Sequence, residues 1–459
     1  GVQTCALPIY IYQVQVSVDG VDNSSVSSGG PLGFEAQAVK PSVDAVGEFR
    51  VVTNNLSAEY GTRMGGQVFV NIKSGTNQLH GTVFEFLRNS NLDGTNFFAN
   101  RAGNKKPTYK QNQFGGTLGG PIRKDKTFFF GDFEALRLRQ GLAYASTVPT
   151  LAMRSGNFSG LQTIFDPASS PSDSTKRVPF AGNVIPQNRW DPAGKAVIDL
   201  YPLPQTSGLT NNFFLSPTRR QRDDTFDTKI DHAFNEKNMF FGRYSFNDTN
   251  SFKPGQLGTV NGVLAGGDAG QFAGTARQRS QQAVLSFIRT IKPNLMLDLK
   301  AAYSRFVIQT LPLNYGDNVN QRIGIPGTNI DSDSSGFSPI GVAGFVGIGD
   351  SPFLPLQTFN NVFQYQASMT YIRGSHQFKF GADMRRRQLT PFQSSHAKGN
   401  FLFDTGYSNN PTVSGSGNSA ASLLLGYPTT EQRTKRSEEH TSELQSHHDL
   451  VCRLLLEKK

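Results

Sequence analysis

Four short turns are spaced along this chain, and each joins two stretches of alternating hydrophobicity. They fall at 123–126, 235–238, 292–294 and 373–376. Between the hairpins lie long stretches rich in Gly, Asn, Ser and Pro, such as 140–222 and 311–357. A soluble sandwich has no reason to sort its short and long connections to opposite ends. A transmembrane antiparallel β-barrel does, with short turns on one side, long loops on the other and strands of about ten residues. A large soluble β-sandwich or propeller would show similar alternation, but its connections should not separate by length.

The alternation is strict. In the hairpin around 235–238, Phe226, Thr228, Ile230 and Phe234 share one face, and Asp227, Lys229 and Asp231 share the other. Phe240, Gly242, Tyr244 and Phe246 continue the apolar face after the turn. Ala283, Leu285 and Phe287 alternate with Gln282, Val284 and Ser286. Phe363, Tyr365, Ala367, Met369 and Tyr371 oppose Gln364, Gln366, Ser368 and Thr370. A period of two over such lengths specifies strand rather than helix. About ten strands are predicted, at 80–89, 112–122, 127–137, 223–234, 239–249, 278–291, 295–308, 359–372, 377–389 and 419–428. The last is the weakest, because Leu423, Leu424 and Leu425 run together without alternation.

Composition agrees with this reading. No stretch approaches the roughly 18 consecutive apolar residues of a membrane helix. Phe is abundant at 36 residues, which suits lipid-facing strands with aromatic girdles. The net charge is +10, but Lys and Arg are scattered rather than clustered on one face or helix, which argues against nucleic acid. Anionic lipopolysaccharide and a solvated polar lumen are the more natural counterparts.

Both ends read as foreign to the chain. Residues 2–9 back-translate to GTT CAG ACG TGT GCT CTT CCG ATC, and 436–443 back-translate to the reverse complement of the same word, shifted in frame. That word resembles a sequencing-library adapter. Segments 1–9 and 436–459 are therefore expected to be non-native and are set aside from fold reasoning. Cys5 and Cys452, the only cysteines, go with them, as do His440, His447 and His448. Disulfide and thiolate chemistry is thereby excluded from the remainder.

Residues 45–75 do not follow the barrel pattern. A short strand, AVGEFRVVT, precedes a single predicted helical turn at 54–60. Gly65 and Gly66 then lead into a second strand, QVFVNIKS. This small α/β unit lies directly before the first long strand. VDAVGEFRVVTNNLSAEYG followed by GGQVFVNIKSGTNQLHGTVFEFLRN resembles the end of the plug and start of the barrel in TonB-dependent outer-membrane transporters, most nearly the Oar-like subgroup. QNQFGGTLGGPIRKDKTFFFGDFEALR, VPTLAMRSGNFSG, PFAGNVIPQNRWDPAGKAVIDLYPLP and DTKIDHAFNEKNMFFGRYSFND extend the resemblance, and VDGVDNSS resembles an early plug segment. It covers essentially all of 10–435. Where many members carry Arg-Gly-Pro, this chain has Thr53, Asn54 and Asn55.

The resemblance implies a mostly β fold. Residues 10–78 would be the C-terminal part of a plug domain, and 79–435 the N-terminal half of a barrel of about 22 strands. It implies residence in the outer membrane among lipid and lipopolysaccharide. It also implies a TonB-type energy transducer that acts through a plug segment N-terminal to this chain, and an imported solute that can be large. An outer-membrane adhesin or interaction protein that uses its loops as a binding surface is the alternative. Ligand capture is expected on loops 140–222 and 311–357, the former carrying the only tryptophan, Trp190.

No catalytic, cofactor or metal site is expected. There is no Walker loop, no GxSxG and no HExxH. Asp331, Asp333 and Ser335 resemble half of a calcium loop, but Val342 stands where the bidentate Glu is required.

Overall fold

The computed structural model describes residues 14–24, 38–53, 66–94, 97, 106–267, 272–393 and 395–434, and the backbone of 446–457. Two sheets and a cap organise it. The small sheet holds β1 (Gln15–Val18), β2 (Val21–Asp22), β3 (Val46–Val52) and β4 (Gln67–Ile72), in the order β2-β1-β4-β3. β1 and β4 are parallel, and the other pairs are antiparallel. Val16, Val18, Val68, Val70 and Ile72 form its core against Phe130 of the large sheet. Both strands predicted within 45–75 are present, while the predicted helical turn at 54–60 lies outside the described residues.

The large sheet is an antiparallel meander of ten strands. In order they are β5 (His80–Asn89), β6 (Tyr109–Arg123), β7 (Thr127–Gly141), β8 (Thr218–Asn235) and β9 (Asn238–Lys253). β10 (Gly274–Lys292), β11 (Leu295–Pro312), β12 (Leu356–Arg373), β13 (His376–Gln393) and β14 (Ser446–Glu457) complete it. The four short turns lie where the sequence places them, and Gly374 in the last adopts a left-handed φ of 60°. Among the described residues no strand joins β5 to β14.

Burial along the sheet is inverted relative to a soluble protein. On β9 the buried side chains are Arg243, Ser245, Asn247, Thr249 and Ser251. On β10 they include Gln278, Ser280, Gln282 and Ser286. Leu285, between two of these, is 55% exposed, and Ile230 is 49% exposed. Large apolar groups facing outward and polar groups inward is the arrangement hydrocarbon outside and water inside demand. Among the described buried polar atoms, those of Gln278, Ser280 and Ser286 have no protein partner, as suits a wet interior.

The strands run longer at the loop end than predicted: β8 begins at Thr218 rather than 223, and β6 at Tyr109 rather than 112. Backbone pairing continues past the apolar alternation, because charged side chains above the lipid still accept a ladder.

The strand predicted at 419–428 is incorrect, and the tenth position in the sheet is taken by β14. Ser419–Leu424 is a helix, α2. The Asn418 side chain accepts from the Ala420 N–H at 3.0 Å and caps its start. Gly426, at φ 76°, ends it, with the Tyr427 N–H bonded to the Ser422 carbonyl at 3.0 Å.

The long loops fold together. Segments 142–217, 254–267, 313–355 and 395–434 share the largest apolar core among the described residues, which includes Phe158, Ile198, Tyr201, Phe337, Ile348 and Leu424. The helix α1 (Pro192–Asp199) crosses α2 there. Asp191 caps α1 by accepting from the Gly194 N–H at 2.7 Å, and its own N–H bonds the Leu424 carbonyl at 2.9 Å. A Cβ on Gly194 would collide with the Leu423 carbonyl oxygen.

Two outcomes check this architecture. Leu285→Arg should cost about 2–4 kcal/mol in urea unfolding from liposomes; a water-facing wall would tolerate it. Gly194→Ala should loosen the cap by about 1–3 kcal/mol, seen as faster hydrogen exchange in both α1 and α2 with the wall unchanged.

Candidate functional site

The small sheet is held to the inner face of the wall by charge. Asp19 and Gly20 form the two-residue turn between β1 and β2, with φ of 50° and 81°, as an Asp-Gly hairpin turn requires. The turn delivers the Asp19 carboxylate to the wall. There Arg243 Nε lies 2.7 Å from Oδ2, and Lys229 Nζ lies 3.5 Å from Oδ1. The Ile72 N–H donates to Oδ1 at 3.1 Å, and Lys229 Nζ donates to the Ile72 carbonyl at 3.1 Å. Arg243 extends the network, donating to Gln282 Oε1 at 2.5 Å and to Ser245 Oγ, which donates in turn to Asp227.

A second contact lies three residues on. Asp22 Oδ2 accepts from Arg387 at 2.8 Å and Arg385 at 3.3 Å, both on β13. The Asp22 N–H donates to Gln364 Oε1 at 3.0 Å, and Gln282 Nε2 donates to the Asp22 carbonyl at 3.2 Å. One short hairpin therefore bonds to β8, β9, β10, β12 and β13. Beside it a cavity of about 740 Å³ is lined by Asp19, Glu48, Arg50, Lys229 and Lys300, among others.

Sequence reasoning placed Asp227 and Lys229 on the polar face but did not single out Asp19, Asp22, Arg243 or Arg387. The signal available was Asp-Gly between two Val residues, together with charges at interior positions of the period-two pattern.

The predicted capture loops, 140–222 and 311–357, come together in the cap, joined by 254–267 and 395–434. Trp190 packs at the edge of that core, its indole N–H donating to the Ile185 carbonyl at 3.2 Å. The half-calcium motif is an ordinary turn: Asp331 Oδ1 accepts from the Ser334 N–H at 2.7 Å, and Val342 is buried in the cap core. Among the described residues no group of three or more His, Cys, Asp or Glu side chains is arranged to hold a metal.

The cap also buries two opposite charges, Asp350 and Lys398. Asp350 Oδ2 accepts from the Phe337 N–H at 2.9 Å, and Oδ1 accepts from Asn314 Nδ2 at 3.0 Å. Burial pushes the Asp350 carboxyl above its usual range, opposed first by the Lys398 charge. Burial likewise lowers Lys398, whose ammonium donates to the Leu354 carbonyl. Both side chains flank Gly336, where φ is 109°.

The family described as "Outer membrane beta barrel domain" matches residues 71–448, well over half of the chain. The chain belongs to this family. It resides in the cell outer membrane. A curated relative, the TonB-dependent transporter Oar of Myxococcus xanthus, is 35% identical over 104 residues, covering 22% of this chain and 10% of that protein. Among solved structures, the outer membrane transporter YddB from Escherichia coli aligns over 86% of this chain and 43% of its own, with TM-score 0.49 and 10% identity. A variant of the ferric enterobactin receptor PfeA from Pseudomonas aeruginosa aligns over 82% and 41%, with TM-score 0.43 and 12% identity. The chain spans less than half the length of each of these solved chains.

Removing Lys398 takes away its hydrogen bond to the Leu354 carbonyl and the positive charge that offsets buried Asp350, a loss of about 1–3 kcal/mol. Lys398→Met should destabilise the cap by that order in hydrogen exchange at neutral pH. The deficit should shrink on acidification, because folded Asp350, its affinity for a proton raised, takes one up before the unfolded chain does. Arg243→Met should release the small sheet from the wall, read as protease cleavage within 14–72 at urea concentrations where the wall remains folded.

Proposed function

We propose that this chain is the plug end, the first part of the wall and the cap of an energised outer-membrane importer. The small sheet is the C-terminal part of a plug. The observation that carries this reading is the ionic hairpin, which fixes a separate small domain across the inner face of the wall. A passive pore has no use for such an obstruction; an importer must hold it shut and release it on demand. Buried charge pairs suit that task, being strong when complete yet separable by a directed pull once water enters. Further strands beyond β5 and β13 would close the wall, since an open edge in hydrocarbon leaves backbone groups unsatisfied at several kcal/mol each. The solute is captured on the cap, and a TonB-type transducer pulls on a plug segment N-terminal to this chain.

The folded cap favours a second reading, an adhesin or interaction protein, because a core of its own makes it a stable binding surface. Collapsing the inner-membrane proton gradient separates the two. An importer should keep surface binding and lose uptake; an adhesin should show binding and no uptake under either condition. Deleting residues 10–78 should convert a silent protein into an open conductance in planar bilayers. A protein that conducts equally before deletion would be a passive porin.

Segments 1–9 and 436–459 are, in this proposal, adapter-derived, so β14 occupies an edge that belongs to another strand of the natural protein. Amplifying the locus from primers within 45–430 and sequencing outward should replace both segments; recovery of the same ends would contradict the assignment.

A further inference from the structure

Beside the small sheet, the wall carries more acid than its cations use. Asp132 on β7 and Asp227 on β8 stand directly opposite each other, and both are buried. Asp227 Oδ1 accepts from the Ser245 hydroxyl. Among the described residues, neither oxygen of Asp132 has a hydrogen-bond partner, and Asp227 Oδ2 has none either. Like charges directly opposite one another across strands are destabilising, and a buried polar atom without a partner costs its full desolvation. The wall gains no stability from this pair, so the two carboxylates call for another explanation.

The cations that grip the Asp19 to Asp22 hairpin supply one. Arg243 Nε lies 2.7 Å from Asp19, while its Nη1 lies 3.8 Å from Asp227 Oδ1. Lys229 Nζ lies 3.5 Å from Asp19. Asp231, two residues further on the same face of β8, has a buried Oδ2 that is also unpartnered among the described residues. Arg385 Nη1 lies 3.3 Å from Asp22, while its Nη2 already lies 2.6 Å from Asp383 on its own strand. Each of these three cations therefore holds one carboxylate of the small sheet and has a second, belonging to the wall, close by. A buried cation left without a carboxylate is the main obstacle to withdrawing the hairpin. Once Asp19 moves away, a shift of about 1 Å brings Arg243 Nη1 within charge-assisted hydrogen-bond distance of Asp227.

We propose that Asp227, with Asp132 beside it, is the substitute acceptor for Arg243, and that Asp231 and Asp383 serve Lys229 and Arg385 in the same way. The small sheet then leaves the wall by exchanging ion pairs and strands no charge. Asp132 adds negative charge at the place the guanidinium must reach. The inference rests on the reading of the small sheet as a plug that is withdrawn, and it names the wall residues that set how readily it goes.

The test is limited proteolysis within 14–72 of the full-length protein in detergent, at urea concentrations where the wall of every variant remains folded. Wild type, R243M, D132N/D227N and the combination of all three substitutions are compared. Asn keeps the shape of Asp but cannot take up the Arg243 charge. D132N/D227N should be cleaved roughly tenfold more slowly than the wild type, because the released state has lost its acceptor. If Asp227 only steadied Arg243 for Asp19, the same variant would be cleaved faster. In the R243M background the two Asn substitutions should change the rate by less than about twofold. Unchanged or faster cleavage of D132N/D227N, or equal slowing without Arg243, would overturn the proposal. If R243M itself is cleaved no faster than the wild type, the ion pair does not hold the small sheet, and the plug reading falls with the exchange. If R243M is cleaved faster and D132N/D227N no slower, the exchange alone falls.

Discussion

A strand in hydrocarbon must satisfy its backbone through its neighbours and present apolar side chains to the lipid. Both demands act on every residue, because side chains alternate between faces with period two. Once Phe226, Ile230, Tyr244 and Leu285 face outward, Asp227, Lys229, Arg243 and Gln282 are committed to the interior. The wall thus carries a charged inner surface as a consequence of its outer one. The interior charges need partners, and the small sheet supplies them at Asp19 and Asp22. The ion pairs that seat the small domain follow from the solvent outside the wall.

The same strands join the lock formed by the Asp19 and Asp22 ion pairs to the cap. β8 passes from Lys229, beside Asp19, through Arg222 to Thr218, where the chain enters the cap. β11 carries Phe306 and Ile308 into an apolar contact with Ala38, Leu354 and Leu356. These are continuous, fully paired elements, so the small sheet and the cap are fixed to one rigid frame. Helix α2 seals the cap by crossing α1 at Gly194, where any larger residue would hold the helices apart.

Much of the wall was legible because lipid enforces a simple pattern. All four turns and nine of the strands lie where the alternation and the turn residues put them. The strand ends were not legible, since residues such as Arg219, Arg220 and Arg222 pair their backbones without showing an apolar face. Residues 419–428 misled because three consecutive leucines look like a buried strand. Asn418 before them and Gly426 and Pro428 after them are helix boundary signals that outweigh that run. The cap core was hidden for a different reason: Phe158, Ile198, Phe337 and Leu424 come from three separate loops, and no local period connects them. The lock was half visible. Its wall charges stand out by alternation, but Asp19 and Asp22 acquire meaning only when the small sheet is laid against them.

The wall's apolar face meets lipid, and its polar face meets a wet interior holding the small sheet. Single bimane-labelled cysteines at Leu285 and at Ser286, in full-length protein with Cys5 and Cys452 replaced by Ser where present, address it in vesicles containing lipids nitroxide-labelled along the acyl chain. The Leu285 label should be strongly quenched by the lipid nitroxide, and the Ser286 label should not. Equal quenching at the two positions, or the reverse order, would contradict the inverted wall and with it the account of the lock and the cap.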